Sequence, residues 1–415
     1  MKANKVTETE IKKKTREIKN GYKKNYAKGY RGEIIKLLFI NGFLPYESFR
    51  LLARDTRLYQ RTIKKLEKEE IVKIQKIKTA KYVILRYGNL EREEDIKTYP
   101  EKYIEHYQKE SIQNAYIMGR SQPAKIEREI KSVITNIMMY AGKIDVTPYK
   151  RNLQSEYLEE DDCFYITSKE LKQIGSYNDK KENKTKVLQN SRIMGLLCSP
   201  GGNYSVYNIG DNMIEWKRFG ESRMQMYIQS IIIRKSRITP DKTEMKKEAI
   251  VIASKPQLYR SICTNDLQEM KERKKILMNI DYSYDSMYCI PQTAEGIEIL
   301  TYMTTKSWKE KIKNALLPFE ERNAALYTQV NCDGYDEKGH IYKLIFCIPD
   351  LVKLKQFLGR ARLEEEKERY EIYCYESQLE IIIPLASSIA TIYTVNAQEL
   401  INYLNKGENR GNFDE

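Results

Sequence analysis

Residues 56–85 read TRLYQRTIKKLEKEEIVKIQKIKTAKYVIL, and this stretch decides how the amino-terminal part of the chain folds. From about Thr56 to Glu70 the apolar residues Leu58, Ile63 and Leu66 recur at helical spacing and are expected to form a buried face. The other face of that helix carries Arg57, Tyr59, Gln60, Arg61, Lys64, Lys65 and Lys68. Directly afterwards Ile71 to Gln75 alternates as a strand does, Lys76 to Thr79 turns, and Ala80 to Leu85 returns as a second strand.

Upstream of this stretch two further helices are expected. Ile34, Leu37 and Leu38 form an apolar stripe that Asn41-Gly42 closes, a pair suited to a left-handed carboxyl-terminal cap. Pro45 then opens a short second helix with Phe49, Leu51 and Leu52 turned inward. The order helix, helix, helix, hairpin resembles the winged helix-turn-helix of many prokaryotic DNA-binding proteins. That resemblance implies a third helix that enters the major groove and a hairpin that lies against the backbone.

Charge points the same way. The first ninety residues carry 24 Lys and Arg against 9 Asp and Glu, whereas the remaining 325 carry 48 against 49. The excess sits at one end, and a small basic helical module suits a polyanion. Arg57, Gln60, Arg61 and Lys64 are the expected contacts to base edges, since Arg and Gln can bond guanine and adenine bidentately. Lys65, Lys68, Lys76, Lys78 and Lys81 are the expected contacts to phosphates. Tyr59 stands in the same set. Residues 1–30, in which Lys and Tyr alternate, read as a basic arm beside this unit at 31–88.

A connector is expected at 89–121, where Glu91, Glu93, Glu94, Asp95 and Pro100 interrupt apolar continuity. An amphipathic helix over about 123–140 opens a larger mixed α/β domain at 122–405, divisible near residue 260, before a polar tail at 406–415. Within it Cys163 to Thr167 reads as a strand leading into a helix capped by Ser168. Residues 191–208 read as a hairpin turning at Gly201-Gly202, and a helix follows over 221–233. Ala249 to Ala253 is the near-continuous apolar run of a strand covered on both faces. Later strands are expected near 287–290, 342–348 and 371–375. The fold class is thus α+β or α/β, with the winged helix first.

A winged helix followed by such a domain resembles the plasmid replication-relaxation type of protein carried on bacterial mobile elements, whose second domain is restriction-endonuclease-like. The resemblance implies a sequence-specific double-stranded DNA-binding protein acting in replication control, transfer or transcription. In that family's pattern an acidic residue precedes a Gly-Leu-Leu on one strand, and an acidic pair lies on the next. Here the matching stretches are Arg192 to Leu197 and Tyr204 to Asn208, and both lack the carboxylates. Hydrolysis of a phosphodiester through Mg²⁺ needs such hard oxygen ligands. The expectation is therefore a domain without catalysis, metal or cofactor.

Other chemistries find no footing. Pro240-Asp241 and Glu244-Met245-Lys246 spell a nuclease-like motif, yet the two acids are too close in sequence to sit on separate strands. His106 and His340 are the sole histidines and offer no imidazole cluster, and no Gly-rich phosphate loop with Lys-Ser or Lys-Thr is present. The seven cysteines lack zinc-ligand spacing and read as buried thiols. No apolar run is long enough to span a bilayer, and Lys2 and Lys5 precede no apolar segment, so the cytoplasm is the expected location. The expected partners are double-stranded DNA, a second copy of the chain, or a replication or transfer protein. Two alternatives stand: a nuclease using Glu127, Asp211, Glu215 and Glu221, and a scaffold loosely anchored to nucleic acid.

Overall fold

The computed structural model describes residues 29–52, 55–77, 80–86, 123–147, 162–171, 191–235, 246–264, 276–280, 283–364, 366–397 and 399–400. The protein is a mixed α+β molecule whose chain divides into two compact units, one ending at Ala141 apart from a short later segment, the other holding most of the rest. The basic arm to Lys28, the connector, Pro240 to Met245 and the polar tail lie outside the described residues. No helix among the described residues is long and apolar enough to cross a membrane.

The first unit contains helix α1 (Gly29–Asn41), strand β1 (Phe43–Pro45), a 3₁₀ helix (Tyr46–Leu51), helix α2 (Arg57–Lys68), strands β2 (Val72–Ile77) and β3 (Ala80–Leu85), and helix α3 (Pro123–Ala141). The three strands form an antiparallel sheet in the order β1-β3-β2, with Leu44 opposite Val83 and Ile74 opposite Val83 on its other side. Two details differ from the sequence reading. The chain after Gly42 first makes a short strand, because Phe43 and Leu44 are buried against β3, and Pro45 is tolerated at the strand's end. The second helix is a 3₁₀ turn rather than an α-helix, closed by Ser48 Oγ donating to the Pro45 carbonyl at 2.6 Å.

Helix α3 belongs to this first unit, not to the α/β domain. It packs on α1, β1 and the 3₁₀ helix, and Asn136 Nδ2 donates to Asn41 Oδ1 at 2.8 Å in a buried position. That neighbour explains why α1 is buried nearly all round: Ile34, Ile35, Leu37, Leu38, Phe39 and Ile40 are all inside.

The second unit holds two sheets. The first, in the order β4-β5-β6-β7-β8, is made of β4 (Phe164–Thr167), β5 (Gly195–Ser199), β6 (Gly202–Gly210), β7 (Glu248–Ala253) and β8 (Ser286–Pro291). Strands β4 to β6 form an antiparallel meander; β7 and β8 run parallel to β6. Helix α4 (Arg218–Lys235) joins β6 to β7, and α5 (Pro256–Thr264) follows β7. Every residue of β7 is buried, as its unbroken apolar run requires. The helix after β4 is capped one residue earlier than read: Thr167 Oγ1 accepts from the Glu170 N–H, and Glu170 Oε2 accepts from the Thr167 N–H at 2.8 Å, a reciprocal capping box.

After helices α6 (Ala294–Met303), α7 (Trp308–Leu316) and α8 (Phe319–Ala325) comes the second sheet, ordered β12-β11-β10-β9. Its strands are β9 (Gly334–Asp336), β10 (Ile341–Ile345), β11 (Tyr370–Tyr375) and β12 (Thr391–Val395), with α9 (Leu351–Glu364) and α10 (Leu379–Ala386) between them. Strands β10, β11 and β12 are parallel and β9 is an antiparallel edge. The sheets share one core, in which Val251, Met287 and Cys289 join Phe346, Phe357 and Ile372. Asp350 ties them further by accepting from the Met287 and Val352 N–H groups at 3.1 and 3.0 Å.

Candidate nucleic-acid interface

Helix α2 is strongly two-sided. At about 100° per residue, Lys64, Arg57, Lys68, Arg61 and Lys65 fall within an arc of roughly 100°. All five side chains are exposed, while Tyr59, Ile63 and Leu66 lie on the opposite side and are buried. The arc has a simple cause: 59, 63 and 66 are the i, i+4 and i+7 positions that meet α1 and the sheet, so the cations point away from the core.

This geometry corrects one expected contact. Tyr59 is 2% exposed, whereas Leu58, expected inside, is 43% exposed. The Tyr59 ring packs edge-on against Tyr30 at 4.8 Å and tilted against Phe49 at 5.4 Å, and its hydroxyl donates to Glu33 Oε2 at 2.5 Å. Burial, then the Glu33 carboxylate, raises the hydroxyl's pKa well above the ordinary tyrosine value. Tyr59 therefore fastens α2 to α1 and does not face a ligand.

The acidic residues of α2 and of its carboxyl-terminal cap are turned to internal use. Glu69 pairs with Arg31 of α1 at 2.6 Å, and Glu67 Oε1 accepts from the Ile74 N–H of β2 at 3.3 Å. Arg57, 81% exposed, has Asp55 Oδ1 at 3.7 Å from its Nε. Gln60, half-buried at the flank, donates to Thr56 Oγ1 at 3.2 Å. Among the described residues no carboxylate pairs with Arg61, Lys64, Lys65 or Lys68.

The hairpin extends the cationic surface. Lys73, Lys76 and Lys81 are exposed, and Lys76 lies directly opposite Lys81 across β2 and β3. Like charges at a cross-strand position repel, and a polyanion laid against them would relieve that repulsion. Lys78 lies outside the described residues. Lys73 was missed by the sequence reading, although its alternation with Val72 and Ile74 marks it as outward-facing.

In the second unit, the two stretches that lack carboxylates, Arg192 to Leu197 and Tyr204 to Asn208, supply core groups. Met194, Val206, Tyr207 and Asn208 are buried, and Asn208 Oδ1 accepts from the Gly210 N–H at 2.9 Å. Glu221 is fully buried at the start of α4 and accepts from Ser191 Oγ, the Arg192 N–H and the Tyr207 hydroxyl at 2.7, 2.8 and 2.7 Å. Burial raises its pKa above the ordinary glutamate value despite those three donors. The other acids considered for a nuclease are scattered: Glu127 pairs with Lys131 on α3, Asp211 accepts from Ser254 Oγ, and Glu215 lies 3.4 Å from Arg192. Among the described residues no three His, Cys, Asp or Glu side chains are placed to hold a metal ion.

No family model, no curated protein and no solved structure matches this chain.

Proposed function

We propose that this protein binds double-stranded DNA sequence-specifically through its first unit, acting as a winged helix with α2 in the major groove and the β2–β3 hairpin against the backbone. The observation that carries this reading is the arc of Arg57, Arg61, Lys64, Lys65 and Lys68 on α2, held outward by the buried Tyr59, Ile63 and Leu66. A helix fits the major groove, and two arginines at its amino-terminal half can reach guanine edges. Lys65, Lys68, Lys76 and Lys81 flank them with phosphate-binding charge. The second unit serves assembly or partner binding without chemistry of its own. In support, the β5–β6 hairpin carries no Asp or Glu, and the nearby Glu221 of α4 is held in a buried network with Ser191, Arg192 and Tyr207. The family resemblance adds a role in replication control, transfer or transcription of a mobile element.

The test is binding to fragments of the neighbouring DNA in the presence of random competitor, with and without Mg²⁺. One fragment should be protected at a discrete site and remain uncut. Arg61→Ala should then weaken the cognate site by about 1–3 kcal/mol and flatten the preference for it, while Lys76→Ala should weaken all duplexes alike. Equal losses on cognate and random DNA for both variants would overturn the groove assignment, and Mg²⁺-dependent nicking would overturn the silent second unit.

A further inference from the structure

One edge of the cationic arc on α2 is apolar. Leu58, the second residue of the helix, is 43% exposed. Arg61, Thr62 and Lys65 follow it by three, four and seven residues and are its neighbours on the helix surface. At about 100° per residue, Leu58 stands roughly 20° from Lys65 and roughly 60° from Arg61 around the helix axis. Thr62 Oγ1 donates to the Leu58 carbonyl at 2.8 Å. A threonine whose hydroxyl is bonded back to the preceding turn has its methyl group left to offer a ligand. Leu58 and Thr62 thus form an apolar strip, one helical turn long, beside the cations.

The packing of the first unit makes no use of that isobutyl group. Among the described residues of this unit the large apolar side chains left exposed are Leu58 and Tyr30, and the Tyr30 ring is engaged by Tyr59. Helix α2 reaches the core through Tyr59, Ile63 and Leu66 instead. Leu58 also occupies the first turn, and the first turn of a helix docked in the major groove meets base edges. A leucine there cannot bond a phosphate or a polar base edge. The major groove of unmodified duplex offers one apolar substituent, the 5-methyl group of thymine, among donors and acceptors.

We propose that Leu58, with the Thr62 methyl beside it, reads the 5-methyl group of a thymine that lies within about two base pairs of the guanine met by Arg61. This contact rests on the groove-binding reading of α2 given above and adds to it a base that arginine and glutamine do not read. The spacing follows from the helix: side chains at i and i+3 stand about 5–6 Å apart, and successive bases rise by about 3.4 Å along a strand. The amino-terminal half of α2 then carries three chemistries, arginine for guanine, Gln60 for adenine and Leu58 for thymine.

The test uses the full-length protein and synthetic duplexes of the protected site. Each thymine is replaced singly by deoxyuridine, which removes the methyl group and keeps the base pair, and affinities are read by fluorescence anisotropy at one fixed salt concentration. At one thymine the loss of the methyl should weaken wild-type binding by about fourfold, the worth of one buried methyl group. That thymine should lie within about two base pairs of the position whose preference Arg61→Ala abolishes. Leu58→Ala should bind the thymine and uracil forms equally and keep the wild-type affinity for random DNA, whereas Leu58→Met, which retains an apolar arm, should still favour thymine. Alanine suits an exposed helix position, so the variant should melt as the wild type does. A discrete site bound tightly with no uracil-sensitive thymine overturns the Leu58 contact and leaves the DNA-binding reading standing, and absence of any discrete site overturns both. Thymine preference retained in Leu58→Ala, or a sensitive thymine remote from the Arg61 position, also overturns the contact.

Discussion

Replacing Tyr59 by Phe removes one oxygen from the interface between α1 and α2 and leaves the ring where it is. The ring contacts to Tyr30 and Phe49 persist, so no cavity opens. What is lost is a hydrogen bond to the Glu33 carboxylate, a class worth about 1.5–3 kcal/mol. Glu33 is only half-buried and water recovers part of its solvation, which places the expected loss near the lower end, about 1.5 kcal/mol. Amide hydrogen exchange read over residues 57–68 should therefore quicken by about tenfold, whereas DNA affinity should stay at the wild-type level. Because burial and Glu33 raise the Tyr59 pKa in the folded state, the wild-type contribution is complete below the ordinary value of 10.0 and is lost as pH climbs through the folded value. The Phe variant lacks that alkaline loss. Wild-type exchange rates together with weakened DNA binding would refute the reasoning, since they would place the hydroxyl on the DNA-facing side.

Three other outcomes are expected. Lys65→Ala should lower the slope of log affinity against log salt by about 0.9, the contribution of one phosphate contact, and an unchanged slope would remove Lys65 from the interface. Glu221→Gln should alter the pH dependence of stability: burial raises the Glu221 pKa in the folded state, so wild-type stability falls as pH rises above the ordinary 4.5, and the variant lacks this fall. Urea unfolding across the acid-to-neutral range checks it, and parallel curves would show that the buried carboxylate carries no such penalty. Gly296→Ala should destabilise the second unit by about 3 kcal/mol, because a Cβ there would sit 1.8 Å from the Pro291 carbonyl oxygen, a backbone atom that cannot yield cheaply. A wild-type melting temperature would refute that.

Much of the local structure was legible because it is written in short-range periodicity. The spacing of Ile63 and Leu66 marks α2, the alternation from Ile71 marks β2, and the apolar run at Ala249 marks β7 as covered on both faces. The misplacement of Leu58 and Tyr59 shows where that reading stops. Hydropathy favours Leu inside, but the helix has one rotation, and the residues at 59, 63 and 66 share the face that meets α1. The spacing alone could have shown this, whereas the Glu33 partner that makes a buried tyrosine hydroxyl tolerable lies 26 residues away. The second helix likewise packs on elements far away in sequence, β3 and α3.

By itself the sequence determined the concentration of positive charge in the first ninety residues, the two-sided character of α2, the hairpin, and the absence of acids from the β5–β6 positions. Only the tertiary structure decided that α3 joins the first unit and that Glu221 is consumed in a buried network. The division has a physical cause. Periodicity and charge are properties of neighbouring residues, fixed by the geometry of one helix or strand. Which helix covers which face, and which strand ends meet at one edge, is set by many weak contacts distributed over the whole chain and settled only when they form together.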